Sequence, residues 1–338
     1  MAFIQIDKKH FFNNLDIIAS KTKTKDKIAL VLKDNAYGHG LELMATLAKE
    51  YGITKAVVQT AQEAETIAKY FEYVLALAPL PKEPHPKVCY TINDYETIQN
   101  FPKGCRVELK VDSGMHRNGV SAQDLAKSFE AIKKRGLLLE GVFTHHRSAD
   151  ILSSEWFWQK QNFAKIKSEA RELAQRFGFA PLRFHSANSA ALLRENNFDE
   201  DMARVGVAAY GCLELPEPLA VDGFKPVLSL YAKRNSKRIL KAGQRVGYGG
   251  RFTSAQECVV SNYDLGYGDG LFRLLSNNYT TPEGKKLVGT ISMDNSSFLS
   301  DTEELLIFND AREIAKVVTT IGYEVLTALK PEIQRVVV

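Results

Sequence analysis

Val31-Leu32-Lys33-Asp34-Asn35-Ala36-Tyr37-Gly38-His39-Gly40 sets one lysine at the end of the apolar run Ile28–Leu32, with a tyrosine four residues on and a flexible Gly-His-Gly behind it. An ordinary strand-end lysine keeps its ammonium in water on an apolar stem. One that leaves an apolar strand beside other polar groups is partly desolvated, the setting in which an amine serves as nucleophile or base. The choice between these readings depends on what gathers at the same end of the other strands.

Working outward, short apolar runs alternate with amphipathic stretches from residue 28 to about 211. The predicted strands are Ile28–Leu32, Ala56–Gln59, Tyr73–Leu77, Val88–Ile92, Arg106–Val111, Leu137–Phe143, Leu182–His185 and Ala203–Tyr210. Helical patterns run over Leu41–Glu50, Ala61–Tyr70, Ala122–Arg135 and Ser154–Phe177. Eight such strands are the number that closes a (β/α)8 TIM-type barrel, with a doubly wound open sheet as the structural alternative. After Gly211 the texture changes. A linker, Leu213–Phe224, carries Pro216 and Pro218, and β-like runs follow at Val227–Ala232, Cys258–Asp264, Leu287–Ile291 and Glu304–Phe308, with a late helix near Ala311–Thr319. The expected organisation is an α/β barrel over 1–222, whose N-terminal strand can pack with the following domain, and a β-rich domain over 223–338.

Bulk properties narrow the function. The 338 residues suit one large domain and a smaller one, and 45% apolar with 25% charged residues is a globular composition. Net charge is +4, and the densest basic run, Lys21 to Lys27, is interrupted by threonine and aspartate, so no nucleic-acid partner is expected. No apolar run is long enough to span a membrane, and Met1–Asp7 lacks the features of a signal peptide. Cys89, Cys105, Cys212 and Cys258 stand far apart, which argues against a zinc site or a disulfide framework and points to the reduced cytoplasm. No metal is expected.

In a barrel, functional side chains belong at the C-terminal ends of strands, with a phosphate site after the last two. Lys33 follows the first strand. Lys110 and Asp112 close the fifth, with Met115-His116-Arg117 beyond; Thr144-His145-His146 ends the sixth. His185-Ser186-Ala187-Asn188-Ser189 ends the seventh, and Arg204-Val205-Gly206-Val207 lies in the eighth. The Ser189 hydroxyl and the Gly206-Val207 amides suit a phosphate, and no Gly-x-x-x-x-Gly-Lys-Ser/Thr loop is present for a nucleoside triphosphate. A phosphate beside a strand-end lysine suggests pyridoxal phosphate. His145 and His146, adjacent on a strand, point to opposite faces, so one is expected in the site and the other in packing or in support just behind it.

The stretch around Lys33 resembles the pyridoxal-phosphate lysine motif of alanine racemases, and the likeness continues along the chain. It includes Lys110–Arg117, Thr144-His145, Ala187-Asn188-Ser189, Arg204–Gly211, Val246–Gly249, Gly266–Gly270, Ser292-Met293-Asp294 and Gly322–Val325. The resemblance implies a pyridoxal 5'-phosphate barrel with a C-terminal β domain, acting as a head-to-tail homodimer with shared sites. It implies that Lys33 is the Schiff-base lysine and one base, and Tyr248, from the partner subunit, the other. His145 is similar to the histidine that hydrogen-bonds this tyrosine and links it to Arg204, and Arg204 to the arginine facing the pyridine nitrogen. An arginine there only donates, leaving the ring nitrogen unprotonated and a weaker electron sink, which suits racemisation. Arg117 matches the arginine near the substrate carboxylate, and Lys110 the lysine carbamylated in many members. Tyr37, Ser189, Gly206, Val207 and Tyr323 match the phosphate cradle, with Asn188 beside it. Met293 matches a residue whose N–H meets the substrate carboxylate, while Tyr267 and Asp294 match the access corridor that restricts the site to small amino acids.

The chain departs from the usual pattern at Asp34, Arg147-Ser148, Gly247 and Ser292. None of these removes a reacting group. The expected activity is interconversion of L- and D-alanine, supplying D-alanine for peptidoglycan. A racemase of broader specificity and a non-catalytic pyridoxal-phosphate carrier are the alternatives, the carrier disfavoured by Tyr248 and the second domain. A decarboxylase on a related barrel is disfavoured by Arg204.

Overall fold

In the computed structural model, which describes residues 1–78 and 80–338, the chain opens with β1 (Phe3–Ile6). Eight short strands then alternate with helices: β2 (Ile28–Val31), β3 (Lys55–Val58), β4 (Tyr73–Ala76), β5 (Val88–Ile92), β6 (Arg106–Lys110), β7 (Leu138–Phe143), β8 (Arg183–His185) and β9 (Ala203–Val205). They pair in parallel from β2 through β8, and β9 returns to pair with β2. The seam between β8 and β9 is bridged by the Asp201 N–H to Phe184 O (3.2 Å) and the Arg204 N–H to Ala187 O (2.9 Å). Strands covered on both faces must be apolar throughout, and every residue of β2, β4 and β5 is buried.

The second domain is built on β10 (Leu228–Leu240), which pairs antiparallel with Cys258–Tyr263 and Glu304–Phe308. β1 lies in this sheet, antiparallel to β10 and parallel to the C-terminal strand Gln334–Val337. Two expectations need correction. The eighth barrel strand stops at Val205 rather than Tyr210, because the Gly206 N–H goes to the Ser189 hydroxyl (3.1 Å) and residues 206–211 turn on themselves. Leu287–Ile291 is no strand. Its middle residue, Gly289, takes φ +77°, and pairing there is reduced to an isolated bridge between Leu287 and Phe298.

The segment after β2 positions the site. Asp34, Asn35, Ala36 and Tyr37 all have φ between +52° and +55°, one left-handed turn without a glycine. Each such residue costs roughly 1–2 kcal/mol, so the turn must be held from outside. Glu63, which caps its own helix (Ala61–Ile67) through the Thr60 N–H, also accepts the Asp34 N–H at 2.9 Å. Asn35 Oδ1 accepts the Leu41 N–H at 2.9 Å, and His39 Nδ1–H donates to the carbonyls of Ala36 (3.1 Å) and Tyr37 (2.8 Å). Arg335, from the C-terminal strand, donates to Gly38 O through Nε (3.1 Å) and Nη2 (2.9 Å).

Gly38 has φ +76°, and a Cβ on it would lie 2.1 Å from Leu326 O of the second domain. Gly38→Ala is therefore expected to lower the unfolding free energy by about 2–4 kcal/mol, measured by urea denaturation; a loss below about 0.5 kcal/mol would contradict this packing. His39 is fully buried, and burial pushes its pKa down to about 4 from 6.5. The unfolded chain therefore binds the extra proton first, and stability is lost as the pH falls below about 6.5 toward 4. Between pH 7.5 and 5 this group accounts for a loss of about 2 kcal/mol, which His39→Gln should abolish. An equal loss in both proteins would exclude His39 as its source.

Candidate active site

The strand ends do gather polar groups. A cavity of about 780 Å³ opens at the C-terminal ends of the barrel strands. Lys33, just past β2, reaches it with its side chain 33% exposed and its Nζ 3.2 Å from the Asp34 carboxylate. Lys110, the last residue of β6, and Arg117 line the same cavity, as do His145 and His146 after β7. Asn188, Ser189, Arg204, Gly206 and Val207 line it from the ends of β8 and β9. Tyr37 comes from the left-handed turn, and Tyr323 from the helix Gly322–Ala328 of the second domain.

The electrostatics are those of an anion site. Burial, then Arg117 and Arg204, hold Lys110 down to about 8. Burial and the same cations, with Lys110, push His145 down to about 3, so it is a neutral imidazole at pH 7. His146 is likewise held to about 3 by burial and then Arg204, and its Nε2–H donates to Ser186 Oγ at 3.0 Å. Both histidines border the cavity; His146 is buried behind it against Ser186 and Trp156. Burial raises the phenol pKa values of Tyr37 and Tyr323, keeping both as O–H donors.

Arg204 is buried, and burial lowers its pKa to about 10, which leaves it a cation at neutral pH. Its Nη2 donates to Thr144 O (2.7 Å) and Ser186 O (3.1 Å), and its Nη1 to His185 Nδ1. A guanidinium only donates, so His185 Nδ1 accepts and the ring proton sits on Nε2, where it donates to Glu108 at 2.6 Å. The imidazole partner of Arg204 is thus His185. No hydrogen bond joins it to His145 among the described residues, a correction to the expected link. The reason is that both terminal nitrogens of Arg204 are already taken, by His185 and by the carbonyls of Thr144 and Ser186. His185 stood in the strand-end cluster without a role, and Glu108 gave no signal beyond being a carboxylate inside a predicted strand.

The phosphate side is compact. Ser189 Oγ accepts the N–H groups of Gly206 (3.1 Å) and Ala208 (3.4 Å). Asn188 caps the helix Ser189–Arg194 by accepting the Ala191 N–H at 2.9 Å. A Cβ on Gly206 would lie 2.7 Å from Tyr37 Oη, so only glycine permits this approach. These residues fit pyridoxal phosphate: an amine for its aldehyde, hydroxyls and amides for its phosphate, and the cations Arg117 and Arg204 beside neutral imidazoles. The altered loop is firmly tied down. Arg147 bonds to Glu155 and to Gly114 O (2.8 Å), and Arg194 donates to the carbonyls of Ser148, Ala149 and Ile151.

Four expected site residues stand apart from this cavity. Tyr248, Tyr267, Met293 and Asp294 are all exposed on the second domain, Tyr248 at 71%. They sit on connected segments: the Tyr267 N–H bonds to Ser292 O (3.0 Å), the Gly268 N–H to Met293 O (2.8 Å), and the Thr290 hydroxyl to Tyr248 O (3.2 Å).

Comparison with known proteins agrees with this architecture. Residues 6–214 match the family model "Alanine racemase, N-terminal domain", and residues 227–337 match "Alanine racemase, C-terminal domain". An alanine racemase of a Nitratiruptor species is 42% identical over 99% of both chains. The alanine racemase structure from Clostridium difficile 630 superposes with a TM-score of 0.89 at 25% identity, covering 100% of this chain and 95% of that one. A histidine racemase from Leuconostoc mesenteroides shares the fold alone, at 22% identity and a TM-score of 0.85 over 100% and 98% of the two chains. With both domain models matched and close relatives aligned end to end, the chain belongs to the alanine racemase family.

Proposed function

We propose that this chain, which interconverts L- and D-alanine with pyridoxal 5'-phosphate, does so by two bases, Lys33 and Tyr248, at a site shared between two copies of itself. The observation that carries the reading is the division of the site residues. Lys33, Arg204 and the phosphate-side groups border one cavity, whereas Tyr248 is exposed on the other domain. Inverting a carbon needs one group to take a proton from one face and another to return one from the opposite face. When bound, the cofactor makes the α-hydrogen of an attached amino acid acidic.

The protein's own groups have distinct tasks in this reading. Lys33 holds the cofactor and moves a proton at its Nζ; Asp34, 3.2 Å away, keeps a counter-charge beside that amine when it is free. Tyr37, Ser189, Gly206, Val207 and Tyr323 would hold the phosphate. Arg204, donor only, would face the ring nitrogen and leave it without a proton. Arg117 would orient the substrate carboxylate, and Lys110, held near 8, is available as a neutral amine for carbamylation. From the partner copy, Tyr248 would stand near His145, whose neutral ring can accept or donate a hydrogen bond. Met293, Tyr267 and Asp294 would narrow the approach so that small amino acids are favoured. The product would supply D-alanine to peptidoglycan. A cytoplasmic setting is supported by four free cysteines, three of them buried.

Enantiopure L-alanine incubated with the holoenzyme should yield D-alanine on chiral chromatography, with L-serine and L-lysine unchanged. Several D-isomers would move the reading to a broad racemase. Lys33→Ala and Tyr248→Phe should each lower kcat by at least about 1,000-fold, the second without loss of bound cofactor. Mixed Lys33→Ala and Tyr248→Phe chains should regain activity through heterodimers with one intact site. Heterodimers verified by mass spectrometry yet inactive would overturn the shared site.

A further inference from the structure

Glu108 has no exposed surface, lies inside the barrel, and takes no part in the proton transfers just described. A buried carboxylate is tolerated only when it is paired and its oxygens are hydrogen-bonded. Here the Tyr73 O–H donates to it at 2.8 Å, Arg183 Nη1 at 2.6 Å and His185 Nε2–H at 2.6 Å. Burial works to raise its pKa, but His185, Arg183 and Tyr73 together hold it down to about 2, so it is a carboxylate throughout the working range. The barrel wall is cut to admit it. Gly141 of β7 is its register partner, and a Cβ there would lie 2.8 Å from Glu108 Oε1.

Pairing with Arg183 does not by itself explain this carboxylate. Arg183 is partly exposed at the foot of the barrel, within 3.9 Å of a second carboxylate, Glu140, which Arg106 also engages at 2.5 and 2.9 Å. The other oxygen of Glu108 is committed to His185, whose far nitrogen meets Arg204. Phe143 stacks on the His185 ring with centroids 4.8 Å apart and lies 5.1 Å from the Arg204 guanidinium, walling the chain of contacts from water. Charges therefore alternate from the barrel foot to the cavity: Arg106, Glu140, Arg183, Glu108, then Arg204 through a neutral imidazole.

We propose that Glu108 is a positioning residue for racemisation: acting through His185, it fixes the imidazole as its Nε2–H form and so sets the arrangement in which Arg204 meets the cofactor ring. The proposal rests on the reading of Arg204 given above. Without the carboxylate, the His185 proton can move to Nδ1, where it opposes an N–H of Arg204 and drives the guanidinium from its place. Glu108→Gln keeps the shape while its amide can donate to Nε2, favouring that wrong form.

The test compares the holoenzyme with its Glu108→Gln, Tyr73→Phe and Arg204→Met variants. The readouts are the absorption band of the bound cofactor, kcat and KM for alanine, and nitrogen-15 spectra of labelled histidines. Glu108→Gln should shift the band and lower kcat by about 10- to 100-fold with KM within threefold, as expected of a misplaced group. Tyr73→Phe, which removes one hydrogen bond from Glu108 and leaves His185 paired, should keep the wild-type band and kcat within threefold. In the wild type His185 should be neutral with its proton on Nε2, a measurement that stands even if Glu108→Gln fails to fold. A proton on His185 Nδ1, or a Glu108→Gln enzyme with unchanged band and kcat, would overturn the proposal. An unchanged band in Arg204→Met would remove Arg204 from the cofactor, and the proposal with it. A changed band there with an unchanged one in Glu108→Gln would overturn the role of Glu108 alone.

Discussion

Four consecutive left-handed residues, Asp34 to Tyr37, are the constraint on which the rest of the molecule depends. They swing the chain out of β2 so that Lys33 and Tyr37 both border the cavity. Their conformation is unfavourable for L-residues, so the surroundings supply the stabilisation. That support comes from three directions: Glu63 from the barrel, His39 from within the segment, and Arg335 from the last strand of the second domain. A turn held by both domains ties Lys33 to their relative placement. The incorporation of β1 into the sheet of the second domain fixes that placement further.

Around this turn the cavity gathers cations and neutralises imidazoles. Burial above all, and then Arg204, Lys110 and Arg117, disfavour protonation of His145. The outcome is a basin suited to a phosphate and a carboxylate, with a neutral histidine that need not compete as a cation. Asp34 is the exception. Beside Lys33 it supplies a counter-charge at 3.2 Å, and at half exposure it does so under solvent screening.

Most of the barrel was legible because buried parallel strands must be apolar runs, and Ile28–Leu32 or Val88–Ile92 leave little choice. Ala203–Tyr210 misled for the same reason. Apart from Arg204 it is an apolar run, but its strand ends where a serine hydroxyl from another segment takes the Gly206 N–H, which no local pattern reveals. Leu287–Ile291 failed because a positive φ at Gly289 interrupts an otherwise strand-like run. The cavity-lining residues Lys33, Lys110, His145 and Arg204 were legible through motif resemblance and strand-end position together. Glu108 was not, since one carboxylate within a strand is indistinguishable from a solvent-facing one until the barrel closes around it.

The arrangement explains why two domains are needed for so small a reaction. A barrel mouth converges its side chains from below onto whatever it holds, so Lys33, Arg204 and the phosphate-side residues all act from one side. The opposite face of a held amino acid can be served only by something placed over the mouth. Within this chain Tyr323 reaches the cavity from the second domain, and its neighbour there is Tyr37, at 5.9 Å between ring centroids. On the reading proposed above it belongs with the phosphate cradle. Tyr248 is different: exposed, on a glycine-bounded turn, and beside the segments bearing Tyr267 and Met293. On the two-base reading proposed above, a group so placed would serve the mouth of a second copy, and pairing of copies would then be a condition of the chemistry.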